Sequence, residues 1–123
     1  MPPRRILIVE DVDIMRQLLK DLIASIAGLE VSGVARNGWE ARLELTRRRP
    51  DLVLLDEILP GESAGDLLEE FHATGIPVLL LTSLEKPTHE LPPNASGRIV
   101  KPSFDTLDSD RVRFGNTIFS ILS

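Results

Sequence analysis

Five polar side chains of this 123-residue sequence follow closely on short apolar runs, at places where they could handle a metal ion and a phosphate. The carboxyl ends of parallel strands meet at one edge of a sheet, so we expect these groups to lie close together if the runs are strands. Carboxylates, a hydroxyl and an ammonium without any Cys or His suit a hard ion such as Mg²⁺. The residues are Glu10, Asp11, Asp56, Thr82 and Lys101.

The acids of this set would repel one another without a cation. Two carboxylates about 4 Å apart repel by roughly 4 kcal/mol at an effective dielectric constant of about 20, and Lys101 offsets only part of that repulsion. A bound divalent cation would neutralise the cluster and attract a phosphoryl donor. Asp56 could then attack phosphorus and form an acyl phosphate. The Thr82 hydroxyl and the Lys101 ammonium would bind the transferred group.

Apolar runs that alternate with amphipathic stretches predict the elements that position these side chains. Solid apolar runs predict buried strands at about 6–9, 52–55 and 78–81, with weaker strands at about 29–34 and 98–100. Helices are predicted between them, at about 13–26, 39–48, 63–72 and 107–122. The first should be capped by Asp13, and the last should bury Val112, Phe119 and Leu122. This alternation predicts an α/β fold, a doubly wound five-stranded parallel sheet.

Length, composition and charge limit the possible functions. The 123 residues predict one domain over 1–123, and the absence of Cys excludes thiol catalysis and Cys-based zinc sites. With 14 Lys and Arg against 19 Asp and Glu, the net charge of −5 argues against a nucleic-acid partner. No apolar run is long enough to span a bilayer, so we expect a cytoplasmic protein without membrane contact.

Four motifs in this order resemble those of response regulator receiver domains, especially the chemotaxis-type (CheY-like) single-domain ones. They are ILIVED, LLDEILPG, VLLLTS and RIVKP. The resemblance implies a flavodoxin-like fold in which Asp56 accepts a phosphoryl group, Thr82 is the switch hydroxyl and Lys101 is the phosphate-binding lysine. It implies a sensor histidine kinase or phosphotransfer protein as donor and an unidentified downstream protein as target, and it allows a homodimer.

The same resemblance implies a Mg²⁺ site. Asp11 and Asp56 would be direct ligands, and Glu10 would bind the ion through water. The backbone carbonyl of Ile58 would complete the set of protein ligands.

Three features depart from the family pattern. The segment 84–97 contains Pro87, Pro92 and Pro93, and an interior proline costs a helix about 3 kcal/mol. We therefore expect the fourth helix to be short or replaced by a Pro-rich loop. Arg98 stands where the family commonly has a Tyr or Phe that rotates inward on phosphorylation. The glycine after the phosphorylation loop comes one residue late, at Gly65, so the loop before it should be longer or bulged.

We expect a signalling module controlled by phosphorylation, and not an enzyme. The alternative is a pseudo-receiver that is not phosphorylated and presents a fixed interaction surface. Arg98 and the Pro-rich loop favour that alternative, and the intact acidic site opposes it. A phosphohydrolase similar to haloacid-dehalogenase enzymes is disfavoured, because Ile58 stands where those carry a second Asp. A dinucleotide-binding domain is disfavoured because no GxGxxG follows the first strand.

Overall fold

A parallel sheet with helices on both faces forms the fold. The computed structural model describes residues 2–83 and 90–123. In these residues the strands are β1 (Arg4–Val9), β2 (Leu29–Ala35), β3 (Leu52–Asp56), β4 (Val78–Thr82) and β5 (Gly97–Val100). The helices are α1 (Asp13–Ala24), α2 (Gly38–Arg47), α3 (Ala64–Ala73) and α4 (Leu107–Leu122), with a 3₁₀ turn at Phe104–Thr106. The strand order is β2-β1-β3-β4-β5 and each neighbouring pair is parallel, which confirms the predicted sheet.

Alternate residues of the central strands enter two hydrophobic cores, one on each face of the sheet. Ile6 and Ile8 of β1 belong to the core that also contains residues of α1 and α4. Leu7 and Val9 belong to the other core, which contains residues of α2 and α3, Phe71 among them. Strands buried on both faces have solid apolar sequences. This burial explains why the apolar runs of the sequence predict the central strands correctly.

The strand order reverses between β1 and β3. From β1 the chain crosses outward to β2, and it then returns to pair β3 with the other side of β1. Loops that leave the carboxyl ends of two such strands diverge and form a crevice, which is the usual ligand site of an open α/β sheet. Glu10 follows β1 and Asp56 ends β3, so both acids lie at this crevice.

The start of α1 differs from the predicted one. Val12 occupies the N-cap position and makes no side-chain capping bond, so the predicted Asp13 cap is wrong. Asp13 is instead the first helical residue, and its carboxylate pairs with Arg16 one turn later. An acid in the first turn interacts favourably with the helix dipole without acting as the cap.

The buried face of α4 is also not the predicted one. Val112 is 62% exposed and Phe119 is 40% exposed, whereas Phe114 and Ile118 are fully buried; Leu122 is only partly buried. Residues four or seven positions apart lie on the same side of a helix. Val112 and Phe119 therefore share one side of α4, and Phe114 and Ile118 share the opposite side. The side with Phe114 and Ile118 packs on the sheet.

The described part of the β4–β5 connection contains no helix. Residues 90–96, with Pro92 and Pro93, form turns and irregular backbone, in agreement with the expected Pro-rich loop. Pro87 lies outside the described residues. In the portion of the chain that the structure describes, none of the helices has the length and apolar character required to cross a membrane.

Candidate functional site

The end of β1 carries two acids at different depths. Glu10 is fully buried, and its N–H donates to the Ala35 carbonyl over 3.0 Å, which continues the pairing with β2. Asp11 follows and is half-buried. The Arg16 guanidinium of α1 donates to the carbonyl oxygens of Glu10 (2.9 Å) and Asp11 (3.3 Å). These bonds fix the turn that carries both acids.

Asp56, the last residue of β3, is held by two donors. Its side chain is nearly buried, and the residue is 4% exposed. The Ile58 N–H donates to Oδ1 over 3.0 Å, and Lys101 Nζ donates to Oδ2 over 3.2 Å. The Ile58 side chain is 78% exposed, so the chain just after Asp56 reaches the surface. The carboxylate therefore lies in a fixed position close to solvent.

Lys101 lies between two of the acids. Its Nζ atom is 2.7 Å from Glu10 Oε1 and 3.2 Å from Asp56 Oδ2. The contact with Glu10 is an ion pair to a fully buried carboxylate. Burial acts to lower the pKa of Lys101, but the attraction of the two carboxylates outweighs it and raises that pKa. The lysine is therefore charged at neutral pH.

The Glu10 carboxyl is perturbed by its surroundings. Its burial, with the nearby Asp56 carboxylate as the next cause, raises the pKa of Glu10 from 4.5 to about 7, although Lys101 acts in the opposite direction. The shift follows first from burial, and Lys101 offsets it only in part.

The acids at this edge of the sheet fit a divalent cation. One carboxylate oxygen from each of Glu10, Asp11 and Asp56 lies within 4.8 Å of the other two. These donors are all oxygens, and Lys101 Nζ is shared between Glu10 and Asp56. Hard ions such as Mg²⁺ prefer a few carboxylate oxygens, and a cation among carboxylates this close offsets their mutual repulsion.

A cavity of about 290 Å³ opens beside these acids. Thr82 ends β4 and is 5% exposed, and its carbonyl accepts a 2.8 Å hydrogen bond from the Lys101 N–H. This bond joins the carboxyl ends of β4 and β5. The predicted residues that line the cavity are Asp11, Asp56, Ile58, Thr82 and Lys101. The structure thus brings the predicted residues together, with Glu10 buried next to Lys101.

Comparison with known proteins identifies the family. The sequence pattern of the response regulator receiver domain matches residues 6–109. The chain belongs to this family. It is a receiver domain of the kind found in two-component and chemotaxis signalling systems.

Curated relatives of the receiver domain are mostly longer than this chain. The protein-glutamate methylesterase/protein-glutamine glutaminase 1 of Syntrophus aciditrophicus is 34% identical over 116 residues, which are 86% of this chain and 32% of that protein. The chemotaxis protein CheY of Thermotoga maritima is 42% identical over 67 residues, 54% of this chain and 55% of that protein. The chain thus spans about a third of the methylesterase and about half of CheY.

Solved structures confirm the flavodoxin-like receiver fold. The response regulator domain of Thermotoga maritima CheB superposes with a TM-score of 0.83 at 25% identity and covers 98% of this chain and 96% of that one. CheY6 of R. sphaeroides, in complex with the P1 domain of CheA3, gives a TM-score of 0.80 at 24% identity, covering 98% and 99% of the two chains.

An ion pair near the site of this receiver domain is not evident from the sequence. Arg98 of β5 pairs through Nε with Glu57, the residue after Asp56, and its Nη2 donates to the Glu90 carbonyl over 3.4 Å. The Arg98 side chain is 14% exposed. The sequence shows only that an aromatic residue is missing at this position. The pairing joins residues far apart in the chain, so no local pattern reveals it.

The loop after β3 has a turn of its own. Leu59 and Glu62 pair as an isolated antiparallel bridge around Gly61, whose φ is +71°. Ser63 then caps α3 by accepting from the Asp66 N–H, and the late glycine, Gly65, lies in the first turn of α3. A positive φ favours glycine at position 61.

Proposed function

We propose that this receiver domain accepts a phosphoryl group on Asp56 from a phosphohistidine of a sensor histidine kinase or phosphotransfer protein. The observation that supports this most is the Asp56 carboxylate itself. It faces a cavity shared with Thr82 and Lys101, and it lies within 4.8 Å of oxygens from two further acids. A carboxylate so placed can act as a nucleophile toward phosphorus.

In the proposed transfer, an oxygen of Asp56 forms a bond to phosphorus while the bond between phosphorus and the donor's imidazole nitrogen breaks. The electron pair of that bond stays on the imidazole, which takes up a proton. Lys101 then attracts the phosphoryl oxygens, and the Thr82 hydroxyl donates to one of them. When bound by the acids and the Ile58 carbonyl, Mg²⁺ supplies the positive charge that the phosphoryl oxygens need.

Two comparisons support the proposed partners. The family pattern is that of response regulators, and the similar CheY6 was solved with the P1 domain of CheA3. By this proposal phosphorylation alters binding to a downstream protein whose identity the chain does not reveal, and the domain acts in the cytoplasm.

A fixed interaction module is the second candidate. The ion pair between Arg98 and Glu57 favours it, because an arginine held by a neighbouring acid replaces the aromatic side chain expected to move on phosphorylation. In this alternative the acidic site binds no phosphoryl group, and the partner surface does not depend on Asp56.

Intact mass measured after incubation with Mg²⁺ and acetyl phosphate separates the two candidates. We expect the wild type to gain the mass of one phosphoryl group and Asp56→Asn to gain none. Asp66→Asn makes the same change at an exposed acid of α3 and should behave as the wild type. A wild type that gains no mass with acetyl phosphate or with phosphorylated histidine donors contradicts the proposal and supports the fixed module.

A further inference from the structure

The loop that follows Asp56 is tied to the start of α2 by Glu62. The Gly38 N–H donates to Glu62 Oε2 over 2.7 Å, and Arg42 Nη1 lies 2.9 Å from Glu62 Oε1. The Glu62 side chain is 20% exposed. Both carboxylate oxygens therefore have partners on α2, although the residue belongs to the loop between β3 and α3.

Gly38 makes this contact possible. A Cβ atom at position 38 would lie 2.0 to 2.2 Å from the atoms of the Glu62 carboxylate, far inside the contact distance of real side chains. The first N–H groups of a helix have no partner within the helix, and its N-terminus favours negative charge. The Glu62 carboxylate supplies both the acceptor and the charge, so the contact has a physical reason to form.

The turn at residues 59–62 connects Glu62 to the backbone next to the acidic cluster. Leu59 is 5% exposed, belongs to the core that contains α2 and α3, and pairs with Glu62 across Gly61. Ile58 directly precedes Leu59, and its N–H donates to Asp56 Oδ1. The Ile58 backbone is therefore held on one side by Asp56 and on the other by a turn that Glu62 fastens to α2.

We propose that Glu62 is a positioning residue which sets the divalent-cation affinity of the acidic cluster by holding the Ile58 carbonyl in place. The inference rests on the proposed function, because it assumes that the cluster binds a cation with the help of that carbonyl. Glu62 itself stays bound to Gly38 and Arg42 and does not join the ligands.

The structure offers a matched control for this role. Glu70 of α3 contacts the same Arg42 over the same distance, 2.9 Å, but lies outside the loop. Isothermal titration calorimetry with Mg²⁺ should show an affinity about tenfold lower for Glu62→Ala, within the range for residues that orient metal ligands. Glu70→Ala should bind Mg²⁺ like the wild type. Glu62→Gln keeps an acceptor for the Gly38 N–H and should restore part of the affinity.

Melting curves in metal-free buffer, measured on the same proteins, show whether each variant is folded at the titration temperature. If Glu62→Ala is unfolded there, the comparison of Glu62→Gln with Glu70→Gln takes its place. Equal Mg²⁺ affinity of the Glu62 and Glu70 variants overturns the inference. A wild type that binds Mg²⁺ but is never phosphorylated overturns the proposed function instead, so the two failures are distinguishable.

Discussion

Asp110 of α4 is a buried acid whose carboxylate binds the segment 103–106, which lies between Lys101 and the last helix. The residue is 4% exposed. Its carboxylate accepts hydrogen bonds from the Ser103 N–H (3.0 Å), the Thr106 hydroxyl (2.7 Å) and Arg113 Nη2 (2.8 Å). Burial acts to raise the pKa of Asp110, but these three donors outweigh it and hold that pKa below 3.8. We therefore expect its removal to destabilise the fold.

The size of this effect follows from the three bonds. A hydrogen bond to a charged group contributes about 1.5–3 kcal/mol to stability. Ser103 and Thr106 are exposed, so their donors can form hydrogen bonds with water when the carboxylate is removed. We therefore expect Asp110→Ala to lower the free energy of unfolding by about 2 kcal/mol at pH 7, roughly the contribution of one such bond and well below the sum of three.

The sign of the pH dependence follows from the lowered pKa. A carboxyl whose folded-state pKa is depressed contributes stability above its ordinary value of 3.8, and that stability is lost as the pH falls through the folded-state pKa. Urea unfolding of wild type and Asp110→Ala should thus give a stability difference that is full at pH 7 and that shrinks below pH 3.8.

A neighbouring acid provides the control. Asp108 lies on the same helix and pairs with Arg111 over 3.1 Å, but its side chain is fully exposed. Asp108→Ala should therefore change stability little, because exposed ion pairs contribute little. Equal destabilisation by both variants at pH 7, or a difference for Asp110→Ala that does not narrow in acid, would refute the reasoning.

Two further predictions concern the site and its loop. Asp56→Asn should raise the melting temperature in metal-free buffer because it removes an acid beside Glu10, and Mg²⁺ should then stabilise the wild type more than the variant by ligand linkage; equal Mg²⁺ responses in thermal scans would contradict this. Gly38→Ala should lower stability by roughly 1 kcal/mol or less, because the flexible Glu62 side chain must move away from the new Cβ and lose its hydrogen bond to the N–H of residue 38. Urea titrations should show that Gly38→Ala costs less stability when Glu62 is already Ala. Additive effects of the two substitutions would rule out the close contact.

The sheet and the positions of the site residues could be predicted from the sequence because both depend on local patterns. Strands covered on both faces require solid apolar runs, so β1, β3 and β4 are visible in the residues alone. A polar residue after such a run must lie at the carboxyl edge of the sheet. Asp56 and Lys101, 45 positions apart, thus meet at 3.2 Å as expected.

The buried side of α4 and the contacts between distant segments depend on how the elements pack together, which local sequence patterns do not show. Apolar residues occur on two sides of α4, and the side with Phe114 rather than Val112 is buried once the helix lies on the sheet. The contacts of Arg98 with Glu57 and of Glu62 with Gly38 join separate segments through charged or polar groups. Charged residues are frequent on protein surfaces, so the sequence does not indicate which partners Arg98 and Glu62 contact.

The burial of Glu10 is difficult to explain by stability alone. The acid has no exposed surface, and its pKa is raised to about 7, so keeping it ionised in the folded chain costs free energy at neutral pH. An apolar side chain at the end of β1 would avoid that cost. With Asp11 and Asp56 the cluster holds three carboxylates, and Lys101 balances only one of them. When all three are ionised, the two remaining charges match one divalent cation, which is the charge balance that the proposed cation site requires.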